Sequence, residues 1–170
     1  MLHGIILSFG GIPLLYYGDE IGVTNDFSYL QNHDKQADNR WVHRPIINWH
    51  KAELRHQEGS IEAKIFNGIK HLIAVRKAQP VFADFNNRVL LELNNPALFA
   101  YSRFDVKDLS KRITVLANFS AEQHFLKTDE IEGLQGVSPS SLINAITGKE
   151  PEHFQNDLIL KPYELLYLCR

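Results

Sequence analysis

Two groups of side chains in the first third of the sequence have the types and spacing for chemistry. The first is the adjacent carboxylate pair Asp19-Glu20. Two carboxyl groups, one ionised and one protonated, cleave a glycosidic bond when they flank it about 5 Å apart. Adjacent residues at a strand end point to opposite sides, so Asp19 and Glu20 cannot flank one bond together. They are expected to be structural acceptors. The second group is Asp38-Asn39-Arg40-Trp41-Val42-His43-Arg44. A guanidinium binds a carboxylate through two parallel hydrogen bonds and keeps further donors for sugar hydroxyls. On residue chemistry alone, Arg40 reads as a surface arginine stacked on Trp41. Asn32-His33-Asp34 offers another acid, but no apolar strand precedes it, so Asp34 reads as a solvated loop residue. His43, His50 and His56 match no compact metal-ligand spacing and have no cysteine near them, so no metal site is expected. No glycine-rich phosphate loop is present, and Ser8, Ser28, Ser60 and Ser102 lack a nucleophile-elbow setting. No metal or organic cofactor is implied.

The elements that must position these residues follow from the hydrophobic pattern. Met1 to Gly18 carries no Asp, Glu, Lys or Arg. It lacks the basic start of a secretory signal, and Gly10-Gly11-Ile12-Pro13 breaks it short of a membrane span. It reads as a helix end, Met1 to Ser8, then a glycine break and a buried strand from Ile12 to Tyr17. That strand is apolar on both faces, as strands inside parallel sheets are. A polar stretch from Gly22 to about Gly59 carries Asp38 and Arg40. Its Trp41, Ile46, Ile47 and Trp49 predict an ordered loop with packing of its own. Ser60 caps a helix whose apolar face includes Ile61, Ile65, Ile69, Leu72 and Val75, and Pro80 ends it. Beyond Phe85 the period changes to two. Val89, Leu91 and Leu93 alternate, Asn94-Asn95-Pro96 turns the chain, and runs at 98–104 and 113–119 read as further strands. Shorter strands are expected at 123–127, 142–146, 158–160 and 165–169, for six or seven in all.

A lone β/α unit cannot bury both faces of its strand. A full (β/α)8 barrel takes about 250 residues, far more than precede the β region here. The expected fold class is therefore α+β. Residues 1–82 form the C-terminal remnant of a (β/α)8 barrel, with last strand, active-site loop and last helix, and residues 83–170 form an antiparallel β-sandwich domain. Glu20 and Asp19 then stand at the barrel mouth.

Composition sets the outer limits. Of 170 residues, 44% are hydrophobic and 22% charged, a globular balance that excludes a disordered tail, a fibre or a multi-span membrane protein. The net charge of -2 provides no broad field for nucleic acid or anionic lipid, so neither is an expected partner. Cys169 is the single cysteine, which excludes an intrachain disulfide and points to a cytoplasmic location. Any export signal of a longer parent would lie upstream of Met1.

Gly11-Ile12-Pro13-Leu14-Leu15-Tyr16-Tyr17-Gly18-Asp19-Glu20 resembles the last-strand motif of the α-amylase superfamily of glycoside hydrolases. Asn39-Arg40-Trp41-Val42-His43-Arg44-Pro45 resembles the loop after that strand in amylosucrases. His71-Leu72-Ile73-Ala74-Val75-Arg76 and Leu160-Lys161-Pro162-Tyr163-Glu164 are similar to the same family. The resemblance covers essentially the whole chain, but only the final quarter or so of such an enzyme. It implies a parent glucosyltransferase that uses sucrose to extend an α-1,4-glucan and releases fructose. In that family an aspartate attacks the anomeric carbon, a glutamic acid protonates the departing fructose, and a second aspartate stabilises the charged transition state. All three lie on barrel strands before the last one, so the resemblance implies that this chain alone is inactive. The superfamily's Asn-His-Asp block also precedes the last strand, which excludes Asp34 from that role.

The resemblance assigns substrate binding to Arg40. In amylosucrases the matching arginine pairs with an aspartate from early in the barrel and closes the bottom of the glucosyl pocket. Asp38 is a second substrate-binding candidate, the family often having a further acid where Asn39 stands here, and Arg44 reads as structural. Sucrose and α-glucan are then the parent's ligands, and exposed barrel edges predict self-association. Two other readings stay open: a sucrose or α-glucan hydrolase of the same superfamily, and a stand-alone non-catalytic carbohydrate-binding or interaction module.

Overall fold

Helix, break, long loop, helix and then strands follow one another along residues 1–170 in the computed structural model, a mixed helix and antiparallel-sheet protein. The helices are α1 (Leu2–Phe9), α2 (Trp49–Glu53) and α3 (Ile61–Ala78). The strands are β1 (Arg88–Leu91), β2 (Leu98–Asp105), β3 (Asp108–Asn118), β4 (His124–Lys127), β5 (Ile143–Asn144), β6 (His153–Phe154), β7 (Asp157–Leu160) and β8 (Leu165–Cys169). They form a five-stranded sheet in the order β1-β2-β3-β8-β5 and a three-stranded sheet in the order β4-β7-β6. Every pairing is antiparallel. No helix is long and apolar enough to cross a membrane.

The chain gathers into two units, Met1–Pro13 with His71–Arg170, and Leu14–Lys70. The division between these units falls inside α3. α1 and the second half of α3 belong with the sheets because their apolar side chains are buried there. In this first unit the five-stranded sheet is covered on both faces. Leu91, Leu98, Leu116, Leu166 and Leu168 meet Leu126, Leu158 and Leu160 of the smaller sheet in one core cluster. On the opposite face Tyr101, Ile113, Val115 and Tyr167 pack with Val75 and Phe82 and with Ile5 and Phe9 of α1. Strand alternation sorts these residues onto their two faces. β6, which no periodicity predicted, has only two residues and completes the small sheet beside β7.

α1 lies close to the sheet because Gly4 has no side chain. A Cβ there would come within 2.1 Å of the Leu165 side chain. A buried polar network sits below it. Ser8 Oγ donates to the Gly4 carbonyl at 2.8 Å and lies 2.6 Å from the Tyr101 hydroxyl, while Tyr167 Oη donates to the Gly4 carbonyl at 2.5 Å. The C-terminal carbonyls of α1 are answered by arginines. Arg76 donates to the Leu7 carbonyl, and the fully buried Arg103 donates to the Ser8 carbonyl. Cations suit this end of a helix, where unpaired carbonyls concentrate negative charge.

The expected buried strand from Ile12 to Tyr17 does not form. The segment carries no ladder, and Ile12 and Leu14 are 84% and 78% exposed. A strand satisfies its backbone groups only through a neighbour, and no other strand of this chain runs alongside. The segment therefore stays outside any sheet, and the chain already turns at Tyr17. Asp19 and Glu20 are likewise not at a strand end but in a 3₁₀ turn, Asp19–Ile21.

Candidate functional site

The site residues chosen from the sequence all fall in the second unit, Leu14–Lys70. Its backbone is a succession of short turns, not one irregular loop. Gly18 enters the first turn in the left-handed region at φ 89°, where a side chain is strained and a Cβ would come within 2.9 Å of Val23. The Gly18 amide donates to Glu20 Oε2 at 2.9 Å, so the Glu20 carboxylate closes its own turn. Asp19 shares the turn and accepts the Gly22 amide on its carbonyl at 3.1 Å. Farther along, the Asp26 amide donates to the Val42 carbonyl at 2.9 Å, and Asn25 Oδ1 lies 3.2 Å from His43 Nδ1. These bonds hold the start of the loop against the Arg-Trp segment. Asn48 then caps α2 by accepting the Lys51 amide at 3.0 Å.

Asp38 and Arg40 are brought together. Asp38 is the N-cap of a 3₁₀ turn, Asn39–His43, and its Oδ1 accepts the Arg40 amide at 3.0 Å. The same carboxylate accepts Arg40 Nε on Oδ1 and Arg40 Nη2 on Oδ2, each at 2.8 Å, with Nε also 3.1 Å from Oδ2. This is the two-pronged geometry that a guanidinium makes with a carboxylate. The side-chain hydrogen bonds from Arg40 hold the Asp38 carboxyl well below the usual range, at about 2. The same bonds raise the Arg40 pKa. The pair stands open to water, with the Arg40 side chain 71% exposed, and Nη1 makes no hydrogen bond.

Arg40 does not stack on Trp41. Lys35 and Arg44 take that place, at 4.3 and 5.6 Å from the ring centroid. His33 and Asp34 are fully solvated and lie beside one another at 3.6 Å. No group of three or more His, Cys, Asp or Glu residues is placed to hold a metal ion.

Three hollows lie in this unit, none lined by Asp38 or Arg40; the smallest, about 80 Å³, is lined by Tyr16, Tyr17, Asp19 and His43 among others. One of about 280 Å³ is lined by polar groups that include Asn25, Asp26, Asn48 and Lys51. Another, about 250 Å³, is lined by Tyr17 and Trp49 together with the charged Glu20 and Arg55. Trp49 is 73% exposed, so its ring presents a face to solvent. The sequence reading placed Trp49 among packing residues. An indole beside charged side chains is the signal that would have marked it.

No protein-family model matches the chain. Members of the α-amylase superfamily of glycoside hydrolases are its structural neighbours and distant sequence relatives. Glucosylglycerate phosphorylase of Escherichia coli (strain K12) is 21% identical over 172 residues, covering 99% of this chain and 27% of the relative. A pullulanase from Anoxybacillus sp. LM18-11, solved with maltotriose, superposes with a TM-score of 0.61 at 18% identity, over 98% of this chain and 21% of the pullulanase. A variant of isomaltulose synthase from Erwinia rhapontici NX5, solved with sucrose, gives a TM-score of 0.59 at 16% identity, over 99% of this chain and 37% of the synthase. The chain thus spans well under half the length of each of these proteins. The structural likeness, at such identities, defines the fold.

Proposed function

We propose that this chain is part of an amylosucrase-like glucosyltransferase, one that transfers glucose from sucrose to an α-glucan and releases fructose. The observation that carries the reading is the Asp38–Arg40 pair. Asp38 fixes the guanidinium by two prongs and leaves Nη1 with two N–H donors for a sugar hydroxyl or a carboxylate from another part of the enzyme. In this reading Arg40 contacts substrate and Asp38 holds it, while Glu20 and Asp19 order the turn at the barrel mouth. The residues of the last-strand and Arg-Trp motifs support it in sequence. The isomaltulose synthase likeness supports a sucrose-active parent of the same superfamily.

The carboxylates that break the bond belong, in this reading, to earlier barrel strands of the parent. Asp19 and Glu20 do not replace them, because Glu20 is occupied by the Gly18 amide and adjacent turn residues cannot flank one bond. Purified chain incubated with sucrose is expected to release no more fructose than a heat-treated control. Release well above that control would overturn the reading.

A hydrolase of the same superfamily is a second reading, favoured by the likeness to pullulanase. Product analysis separates the two in a full-length parent, since transfer yields lengthened glucan and hydrolysis yields free glucose. The hollow beside Tyr17 and Trp49 favours a third, a non-catalytic sugar-binding module. Maltotriose that quenched tryptophan fluorescence of the chain, with no turnover, would support this third reading over both enzymes.

A further inference from the structure

The outward face of the three-stranded sheet carries groups that neither the core nor the Asp38–Arg40 pair uses. Leu126, Leu158 and Leu160 turn into the core between the sheets, so the residues that alternate with them turn outward. Lys127 pairs with Asp157, and Asp157 pairs in turn with Phe154, which sets these three in one row across β4, β7 and β6. Phe125 and Ile159 form the next row. Phe125 and Phe154 are 57% and 62% exposed. Exposed apolar side chains gathered on one face mark a contact surface.

A polar groove of about 780 Å³ opens at the end of this row. Its size falls within the range of small-molecule pockets, roughly 300–1,000 Å³. Lys127 and Asp157 line it together with Gln155 and Asn156 of the turn between β6 and β7. Its other wall is fixed, because Thr128 Oγ1 donates to the Val137 carbonyl and Asp129 Oδ1 accepts the Gly136 amide, each at 2.7 Å. The facing side chains are free. Lys127, Gln155, Asn156 and Asp157 make no side-chain hydrogen bond or ion pair within the chain, although Lys127 and Asp157 stand opposite one another in the ladder. Gln155 holds φ 55°, in the left-handed region where glycine is the unstrained residue. The glutamine thus weakens its own turn while it contributes an amide to the groove.

Charges of both signs, Lys127 against Asp129 and Asp157, create no field that selects an ion. Amides and carboxylates instead match the donors and acceptors of neighbouring sugar hydroxyls, and an aromatic ring covers the C–H face of a pyranose. We propose that this face binds a neutral oligosaccharide, with one ring against Phe154 and the next in the groove among Lys127, Gln155, Asn156 and Asp157. The row crosses three strands, roughly 10 Å at about 4.8 Å from strand to strand, so it takes a chain of sugars and not a single ring. The site goes beyond the glucosyltransferase reading, since it lies in the first unit and uses none of Asp38, Arg40, Tyr17 or Trp49.

Calorimetric titration of the whole chain with maltopentaose and with cellopentaose tests the site and separates the two linkages. At least one is expected to bind saturably, and glucose should bind at least about tenfold more weakly. Phe154→Ala and Asn156→Ala, both at exposed positions, should each weaken the pentasaccharide by about tenfold with unchanged melting curves. Gln155→Gly should also weaken binding, yet melt at an equal or higher temperature, because it relieves the turn. Both tryptophans lie in the second unit, so this binding should leave tryptophan fluorescence unchanged. No saturation by either pentasaccharide, undiminished binding to all three variants, or binding matched throughout by tryptophan quenching would overturn the proposal.

Discussion

The Asp38 carboxylate grips Arg40 from two residues away, so the guanidinium keeps its orientation although both groups face water. An exposed pair adds little to stability. Arg40→Ala should therefore leave the melting temperature of the chain almost unchanged. If Arg40 contacts substrate as proposed, the same change in a full-length parent should lower kcat/KM for sucrose by about tenfold to a hundredfold, the effect of losing a charge-assisted bond. Arg44→Ala should act through its place over Trp41, with smaller kinetic loss in the folded fraction. Near-normal sucrose kinetics for Arg40→Ala would make Arg40 a structural residue. The pair also has an acid signature. Because the Asp38 carboxyl is depressed to about 2, its bonds persist through the ordinary carboxylate range and fail only as pH falls through that value. Carbon-13 NMR of the Asp38 carboxyl should show this midpoint, and Arg40→Ala should move it upward. The residue types and spacing marked both side chains in the sequence. Their mutual pairing was not legible, because the direction each side chain leaves a 3₁₀ turn decides whether Arg40 or Lys35 reaches Trp41.

The α1 helix depends on what meets its last carbonyls. Arg103 donates to the Ser8 carbonyl, to Val81 and Asp84 carbonyls and to Asn87 Oδ1, so it ties the end of α1 to the turn before β1. Arg103→Met keeps much of the volume but strands those acceptors. At about 1–3 kcal/mol for each buried group left unpaired, with water relieving some, the loss should reach about 3 kcal/mol in urea unfolding. A change near zero would mean that the acceptors find other donors. The tyrosines below α1 give the element an alkaline limit. Burial pushes Tyr167 up to about 12 and raises Tyr101 as well. An unfolded tyrosine ionises near 10, so stability should hold below about pH 10 and fall as pH rises toward about 12. Thermal melts carried into the alkaline range test this, and Tyr167→Phe should remove part of the slope. The strands and α3 were legible because they keep one period over several turns or residues. The docking of α1 was not, since it rests on Gly4 leaving space and on arginines far away in sequence.

Across the molecule the clearest departure from the sequence reading is the segment from Ile12 to Tyr17. Its residues have the apolar character of an interior strand, but pairing requires a neighbour, and pattern alone cannot supply one. Ile12 and Leu14 thus present large side chains to water. Exposed apolar segments outside any sheet invite association with another chain. Sedimentation velocity should show association that grows with concentration, and the double change Ile12→Lys and Leu14→Lys should suppress it. Equal association of parent and variant would place the contact elsewhere. The antiparallel strands could be foreseen from alternation, while the division of the chain inside α3 could not, because a helix with one continuous apolar face gives no sign of serving two units.

The bond from Tyr167 to the Gly4 carbonyl spans 163 positions of the chain. Folds closed by such distant contacts form slowly, since the loop must be ordered before the contact rewards it. During synthesis, at about 5–20 residues per second, α1 would emerge and wait roughly ten seconds or more for β8. For that interval an uncharged, apolar helix has no sheet to cover it, so the order of translation, more than the final stability, sets when this polypeptide most needs a chaperone.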